Sequence, residues 1–218
     1  MKDISIILPW RGNPDLLYKT VADLTDYNYP VKLFIIFDGE KEEFIKFPED
    51  IYGIEITKIL SPEPIEFVAA TNLGYSAAKD SGDIFMIWAC DCVIDNPSWY
   101  DDMIASYEMN FPNGGGLLCA NDGYWNGKIA IHPIVDKKFI EWLEYPDNCI
   151  LWPEYIHYGS DNEITERARS SGRYAYDMEL KYHHPSPTER LNYRSIEHKD
   201  HDGKLLKQRR ISGWPNGS

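Results

Sequence analysis

The sequence contains no apolar run that reaches the ~18 residues needed to cross a membrane. It also lacks the pattern of a secretory signal, because Met1-Lys2-Asp3 leads into only a short apolar run with no cleavage site. Internal repeats and low-complexity segments are absent as well. We therefore expect a globular, cytoplasmic protein without integral membrane association.

Positive charge is scarce in this chain. It has 22 Lys and Arg against 35 Asp and Glu, for a net charge of -13. Binding to phosphate backbones or anionic lipid requires clustered basic residues, so the composition argues against a general affinity for either. The one basic cluster, at 204–210, leaves a local phosphate contact open.

Cysteine is also sparse, and the four residues show no zinc-binding spacing. Two of them, Cys90 and Cys92, are too close along the chain for an easy mutual disulfide. We expect all four to be the reduced thiols of a cytosolic protein. They are Cys90, Cys92, Cys119 and Cys149.

The 218 residues, 43% of them hydrophobic, are enough for one large domain with a substantial core. Apolar runs predict strands at 4–8, 31–37, 54–60 and 84–89. Helices are predicted after Asn13-Pro14, which supply a cap and a first helical residue, and over 66–79. Alternating strands and helices are typical of βαβ units with a parallel sheet.

The second half of the sequence is less regular. Strands are predicted at 117–120 and 128–131, as a hairpin or a pair of sheet strands, and at 174–182. Ser160 and Glu163 have the spacing of a capping box, which predicts a helix that ends near Gly172. The tail from 190 is polar and charged, as a mobile segment would be.

Asp91 directly follows the apolar run 84–89. The length and flanks of that run favour a strand buried on both faces, in the middle of a parallel or mixed sheet. A carboxylate at the carboxyl end of such a strand lies at the crevice where open α/β sheets bind ligands. The alternative is that Asp91 only caps the next turn.

Further acidic residues and histidines occupy comparable positions. Asp38 and Asp161 are predicted at a strand end and a helix start, and His183 and His184 follow the last strand. Carboxylates with an imidazole suit Mg²⁺ or Mn²⁺, and such an ion suits a diphosphate. Each of these residues also has a purely structural explanation. Asp38-Gly39 could form an ordinary turn, the two histidines could belong to a loop, and Asp161 could only stabilise the helix dipole.

The order of these segments resembles that of the family 2 glycosyltransferases, which have the GT-A fold. The resemblance covers about residues 3–185 and rests on the segments 4–9, 37–39, 70–79 and 159–164. It implies a single α/β domain over 1–189, with a mixed, mostly parallel sheet flanked by helices. Within it, 1–96 would be the nucleotide-sugar-binding half and 97–189 the acceptor and catalytic half, followed by a tail at 190–218.

The resemblance also implies an inverting transfer of a sugar from a nucleotide donor such as a UDP-sugar. The donor-binding residues would be Pro9, Arg11, Asp38, Asn72 and Asp91. Four of these, all except Asn72, are also predicted at the crevice by their positions around strand ends.

In the family pattern, the residue matching Asp161 is the catalytic base, and a late histidine joins the metal ion. We therefore expect Asp161 as the base, and Mn²⁺ or Mg²⁺ held by Asp91 with His183 or His184. One departure matters: Cys90-Asp91-Cys92 stands where the family has two or three acidic residues. The position of Asp161 at a helix amino end predicts a low pKa for its carboxyl.

Aromatic residues before Asp161 suit stacking on a sugar ring. Trp125, Trp152, Glu154 and Tyr155 are the predicted acceptor contacts. The acceptor stays open: a glycan, a protein, a small molecule or a modified nucleic-acid base.

Two alternatives to a glycosyltransferase remain. One is a non-catalytic protein that binds a nucleotide sugar or glycan through a degraded metal motif. The other is a nucleotidyltransferase, although residues 10–14 are short and poor in glycine for its phosphate loop.

Overall fold

The computed structural model describes residues 2–25, 31–51, 54–146, 149–184 and 198–214. Strands and helices alternate through the first half of this structure, as predicted. The strands are β1 (Ile4–Trp10), β2 (Val31–Asp38), β3 (Asp50–Ile51), β4 (Ile54–Ser61), β5 (Ile84–Ile87), β6 (Leu117–Asn121), β7 (Ile134–Asp136) and β8 (Tyr174–Lys181). The helices are α1 (Pro14–Thr25), α2 (Lys41–Lys46), α3 (Glu66–Ala78), α4 (Trp99–Asn110), α5 (Lys137–Leu143), α6 (Ser160–Ser170) and α7 (Lys199–Ile211).

All of these strands belong to one mixed sheet with the order β3-β4-β2-β1-β5-β7-β6-β8. The four strands β4, β2, β1 and β5 run parallel, whereas β7 is antiparallel to both of its neighbours. The chain places β2 and β4 on one side of β1 and then crosses to β5 on the other side. Such a reversal opens a crevice between the carboxyl ends of β1 and β5. The predicted α/β class is confirmed.

The sheet separates two hydrophobic cores, because successive side chains of a strand point to opposite faces. In β1, Ile6 packs in the core that contains Leu17 of α1 and Met103 of α4. Ile7 packs in the other core, which includes residues of α3, α5 and α6. All four residues of β5 are buried, which confirms that strand 84–87 is covered on both faces.

Close contact between α3 and the sheet depends on Gly74. A Cβ atom at this position would lie 2.4 Å from Ile36 Cδ1 and 2.7 Å from Ile7 Cγ2. Since those distances are shorter than any van der Waals contact, a larger residue would push α3 away from β1 and β2. The small residue thus fixes how closely the first half of the fold packs.

The prediction of a strand at 128–131 is wrong. The strand that pairs with β6 is β7, a few residues later. Residues before it form turns instead, in which Asp122 Oδ1 accepts the backbone N–H groups of Tyr124 and Trp125 at 3.0 and 2.8 Å. Side-chain acceptance of backbone donors competes with strand pairing, and here it prevails.

The interpretation of residues 190–218 as a mobile polar tail is also corrected, for the part of it that the structure describes. Residues Lys199–Ile211 form α7, and two of its charged residues, Asp202 and Arg209, are 0% and 4% exposed. Its partly buried Leu205 and Leu206 pack against the core that contains α6. Within the described ranges, no helix has the length and apolar content needed to span a membrane.

Candidate functional site

The first group of predicted residues meets where β1 and β2 end. The carboxylate of Asp38 accepts the backbone N–H groups of Ile65 at 2.6 Å and Glu66 at 3.2 Å, which caps the start of α3. Arg11 Nη1 lies 3.9 Å from Asp38 Oδ2 and donates to Glu66 Oε1 at 3.0 Å. The structure therefore brings Arg11 and Asp38 together at the edge predicted for a nucleotide.

Glu66 has a left-handed backbone conformation, with φ of 69°. For a residue with a side chain, such a conformation costs about 1–3 kcal/mol and persists only where neighbouring contacts hold it. The contacts here are the N–H bond to Asp38 and the ion pair with Arg11. Strain of this kind concentrates at functional sites.

An open cavity of about 420 Å³ lies beside this group. Its walls include Trp10 at the end of β1, Gly12 and Pro14 after it, and Gly39 with Glu40 after β2. Pro9, the residue before Trp10, is partly buried in β1. The volume lies within the range of about 300–1,000 Å³ typical of small-ligand sites.

Asn72 lies in the middle of α3 and is 8% exposed. Its Oδ1 accepts the backbone N–H groups of Ile150 and Leu151, both at 3.0 Å, and its Nδ2 donates to the Leu151 carbonyl at 2.9 Å. These bonds fix the loop that leads towards α6. Direct donor binding by Asn72 stays a prediction.

Asp91 is partly exposed in the turn that follows β5. Two residues later, Val93 forms an antiparallel bridge with His183, through hydrogen bonds of 2.9 and 2.8 Å. This register places Cys92 opposite His184. The side chain of His183 alternates to the other side and is exposed.

A buried cluster forms from Cys92, His132 and His184, which are 2%, 4% and 6% exposed. One ligand atom from each lies within 4.8 Å of the others, and Cys92 Sγ is 3.1 Å from His132 Nε2. The rings of Trp88 and Tyr182 pack against His132, with centroid separations of 5.2 and 5.6 Å. We call these three residues the thiol–imidazole cluster.

The sequence interpretation missed Cys92 and His132 as members of a site. Their separation along the chain has no metal-ligand spacing, so only the pairing of β5 with β7 brings them together. The signal that was available was weak: a cysteine beside Asp91, and a histidine before a proline at the start of a strand.

The donor atoms of this cluster do not fit the predicted Mg²⁺ or Mn²⁺. Those ions prefer oxygen ligands, whereas the cluster supplies one sulfur and two imidazole nitrogens. The nearby carboxylate is Asp91, whose Oδ1 lies 3.9 Å from Cys92 Sγ. His184 lies in this cluster with partners of another chemical class, and its role as a ligand of Mg²⁺ or Mn²⁺ stays a prediction.

The predicted base, Asp161, lies in the first turn of α6, but the predicted capping box is wrong. The residue before the helix is Gly159, in a left-handed conformation with φ of 81°, and Ser160 is already helical. Glu163 does not reach back to the cap, because its carboxylate is buried at 0% exposure and is bonded by Arg209. The buried ion pair prevails over the local motif.

The prediction of a low pKa for Asp161 is wrong as well. Burial of the carboxyl raises its pKa, and the backbone N–H groups of Asn162, Asp161 and Gly159 only partly offset this effect. Loss of water penalises the ionised form more than the helix end favours it. Asp161 is therefore a stronger base than its position at a helix amino end indicated.

A hydrogen-bonded connection joins this helix to the loop that carries His132. Thr165 Oγ1 donates to the carbonyl of Asp161 at 2.6 Å and accepts the N–H of Ala130 at 3.0 Å. Ala130 and His132 are two residues apart in the same loop. The first turn of α6 and the thiol–imidazole cluster thus flank one short segment of chain.

Two of the predicted sugar contacts are core residues instead. Trp152 and Tyr155 are 4% and 2% exposed, and Arg209 stacks over the Trp152 ring at 3.5 Å. Rings covered in this way present no face to a sugar. Glu154 is exposed and Trp125 is partly exposed, so both remain accessible.

Comparison with known proteins supports the fold. No family model matches the chain. One relative is the O-antigen biosynthesis protein RfbC of Myxococcus xanthus, which is 25% identical over 119 residues. This match covers 53% of this chain and 9% of RfbC. The fold is similar to the mannosyltransferase PcManGT from Pyrobaculum calidifontis in complex with GDP-Man and Mn²⁺, with a TM-score of 0.66, 13% identity, and coverage of 86% of this chain and 59% of that one.

It is also similar to S. aureus TarS 1-349 in complex with UDP-GlcNAc, with a TM-score of 0.68, 12% identity, and coverage of 94% of this chain and 65% of that one. The chain spans less than two thirds of the length of these relatives. The predicted GT-A fold is confirmed.

Proposed function

We propose that this protein transfers a sugar from a nucleoside-diphosphate donor to an acceptor hydroxyl, with inversion at the anomeric carbon. The observation that carries the proposal is the crevice between β1 and β5. Arg11, Asp38 and Asp91 all lie at this edge of the sheet, and a cavity of suitable size opens at the same edge where β1 and β2 end. The fold is one that the mannosyltransferase and TarS, both in nucleotide-sugar complexes, also have.

In this proposal the cavity between Trp10 and Gly39 accepts the nucleoside, and the diphosphate lies towards Arg11 and Asp91. Arg11 would exchange its bond with Glu66 for the phosphate oxygens, since its side chain is 30% exposed and a guanidinium binds phosphate through paired hydrogen bonds. Relaxation of the Arg11–Glu66 contact would couple donor binding to the strained residue at the start of α3.

Asp161 is the proposed general base. As the acceptor oxygen bonds to the anomeric carbon, the bond from that carbon to the diphosphate breaks, and the hydroxyl proton passes to the Asp161 carboxylate. The raised pKa of this group makes it a stronger proton acceptor. The predicted Mn²⁺ or Mg²⁺ stays a prediction, and no step is assigned to an ion, because the clustered donors do not match those metals.

The proposal is tested by mixing the protein with a panel of UDP- and GDP-sugars and measuring release of the nucleoside diphosphate. Asp161→Asn should lower turnover by about two to four orders of magnitude and leave donor affinity within a few-fold. Asp101→Asn is the matched control, an exposed aspartate in the first turn of α4, and should keep full turnover.

Calorimetry with UDP and GDP tests the donor site separately. Arg11→Gln should weaken binding about tenfold or more, as expected for a lost charge-assisted hydrogen bond. Lys19→Gln on α1, whose side chain is 60% exposed, serves as its control. Tight binding without turnover by the wild type would favour the non-catalytic alternative, and no binding of either nucleotide would reject both.

A further inference from the structure

We propose that Cys92, His132 and His184 form a binding site for Zn²⁺. The three ligand atoms lie within 4.8 Å of one another and belong to buried side chains. One thiolate with two imidazoles is a donor set that zinc uses in proteins and that Mg²⁺ avoids. The inference concerns metal binding alone and stands whether or not the protein transfers sugars.

The distances are close to those of a tetrahedral zinc site. Zinc lies about 2.3 Å from sulfur and 2.0–2.1 Å from nitrogen, so tetrahedral ligands are separated by about 3.3–3.6 Å. The observed separation of Cys92 Sγ from His132 Nε2 is 3.1 Å, and the remaining pairs are at most 4.8 Å apart. The remaining pairs therefore reach this range by a change in separation of at most about 1.5 Å.

The backbone holds the ligands in place from three separate segments. The Val93–His183 bridge sets Cys92 opposite His184. His132 precedes β7, and the Ile87 N–H donates to the Pro133 carbonyl at 3.4 Å, which ties this segment to the end of β5. Because backbone hydrogen bonds hold these segments, the site is organised by the fold and needs little ordering on binding.

The surroundings of the cluster combine aromatic rings with one nearby carboxylate. The rings of Trp88 and Tyr182 exclude water from one side of His132. Three protein ligands would leave a fourth tetrahedral position, and the nearby Asp91 has its Oδ1 at 3.9 Å from the sulfur. Zinc sites with three protein ligands keep such a position for water, a carboxylate or a substrate atom.

The test measures metal binding directly, by elemental analysis and by titration of chelator-treated protein with Zn²⁺, Co²⁺ and Mn²⁺. We expect one equivalent of zinc, an affinity for Mn²⁺ that is weaker by on the order of 100-fold or more, and a thiolate-to-cobalt charge-transfer band with Co²⁺. Cys92→Ser and His132→Gln should each weaken zinc binding at least tenfold and remove or diminish that band.

Cys119→Ser is the matched control, because Cys119 is equally buried, on β6, with its thiol directed at backbone carbonyls. It should bind zinc like the wild type. Failure of the wild type to bind zinc, or equal binding by Cys92→Ser, would overturn the proposal and leave a thiol–imidazole hydrogen bond. If a variant does not fold, the cobalt spectrum of the wild type still decides, since a bound cobalt without the charge-transfer band excludes Cys92 as a ligand.

Discussion

Replacing Arg209 with methionine tests whether α7 is an integral part of the domain. The guanidinium of Arg209 donates from Nε at 2.6 Å and from Nη2 at 2.7 Å to the carboxylate of Glu163. That carboxylate is completely buried and also accepts the hydroxyls of Tyr145 at 2.8 Å and Tyr155 at 2.9 Å. Methionine keeps much of the length and removes the charge, so Glu163 loses its main counter-ion.

Breaking a buried ion pair from one side costs about 3–5 kcal/mol, because an uncompensated charge stays in the protein interior. Two tyrosine donors remain here, and Arg167 Nη1 lies 3.8 Å from Glu163 Oε1 as a second counter-ion, which favours the lower end of this range. The lost stacking of Arg209 on Trp152 adds to the cost. For a chain of this length, each kcal/mol lowers the melting temperature by about 2–4 °C. We therefore expect a decrease of roughly 6–20 °C.

Arg210 provides the control. It is the next residue of α7 and pairs with Glu166, but both side chains are exposed, at 45% and 36%. Exposed pairs contribute about 0–1 kcal/mol, so Arg210→Met should lower the melting temperature by at most about 4 °C. Thermal unfolding followed by circular dichroism makes the comparison.

Adding Glu163→Gln to the Arg209→Met variant should recover part of the lost melting temperature, because the buried carboxylate charge of Glu163 is then absent. Equal melting temperatures for Arg209→Met and Arg210→Met would refute the assignment of α7 as a docked helix.

Three further predictions concern single groups. Burial opposes ionisation of Asp202, but hydrogen bonds from His201 and from the backbone N–H groups of 156–158 outweigh it and lower the pKa. A carboxyl whose pKa is lowered by folding stabilises the protein at pH values above its ordinary pKa of about 3.9, and this stabilisation is lost as the pH falls. The free energy of unfolding should therefore decrease less on acidification for Asp202→Asn than for the wild type. The base Asp161 must be ionised to act, so turnover should rise with pH through a pKa above the ordinary aspartate value, because burial opposes ionisation; an acid limb at or below the ordinary value would contradict the raised pKa. Asn72→Ala should lower the free energy of unfolding in urea by about 1–3 kcal/mol, since buried N–H groups of 150–151 lose their acceptor; a loss under about 0.5 kcal/mol would contradict this role.

The local sequence pattern was sufficient for much of the fold. Strands β1, β2, β4 and β5 lie within a few residues of their predicted positions, because each is an apolar run bounded by turn residues. The helix α1 begins at Pro14 as predicted, with the Asp15 N–H bonded to Asn13 Oδ1 at 3.0 Å. Capping and burial of this kind involve neighbours in the chain, so they are readable without tertiary information.

The local pattern failed where a distant partner outweighed a near one. Glu163 and Ser160 have the spacing of a capping box, but Arg209, 46 residues further along, binds the glutamate instead. A bidentate buried ion pair is stronger than one cap bond, and its existence depends on where α7 docks. The raised pKa of Asp161 has a similar origin, since burial is a property of the folded state alone.

The sequence by itself determined the class of the fold, the strand ends at which Arg11, Asp38 and Asp91 stand, and the first-turn position of Asp161. These follow from hydrophobic periodicity and turn chemistry, which act over a few residues. Only the tertiary structure decided that Cys92, His132 and His184 share one buried cluster. Three side chains from three segments meet because strand register and sheet order bring them together, and no spacing along the chain encodes that contact.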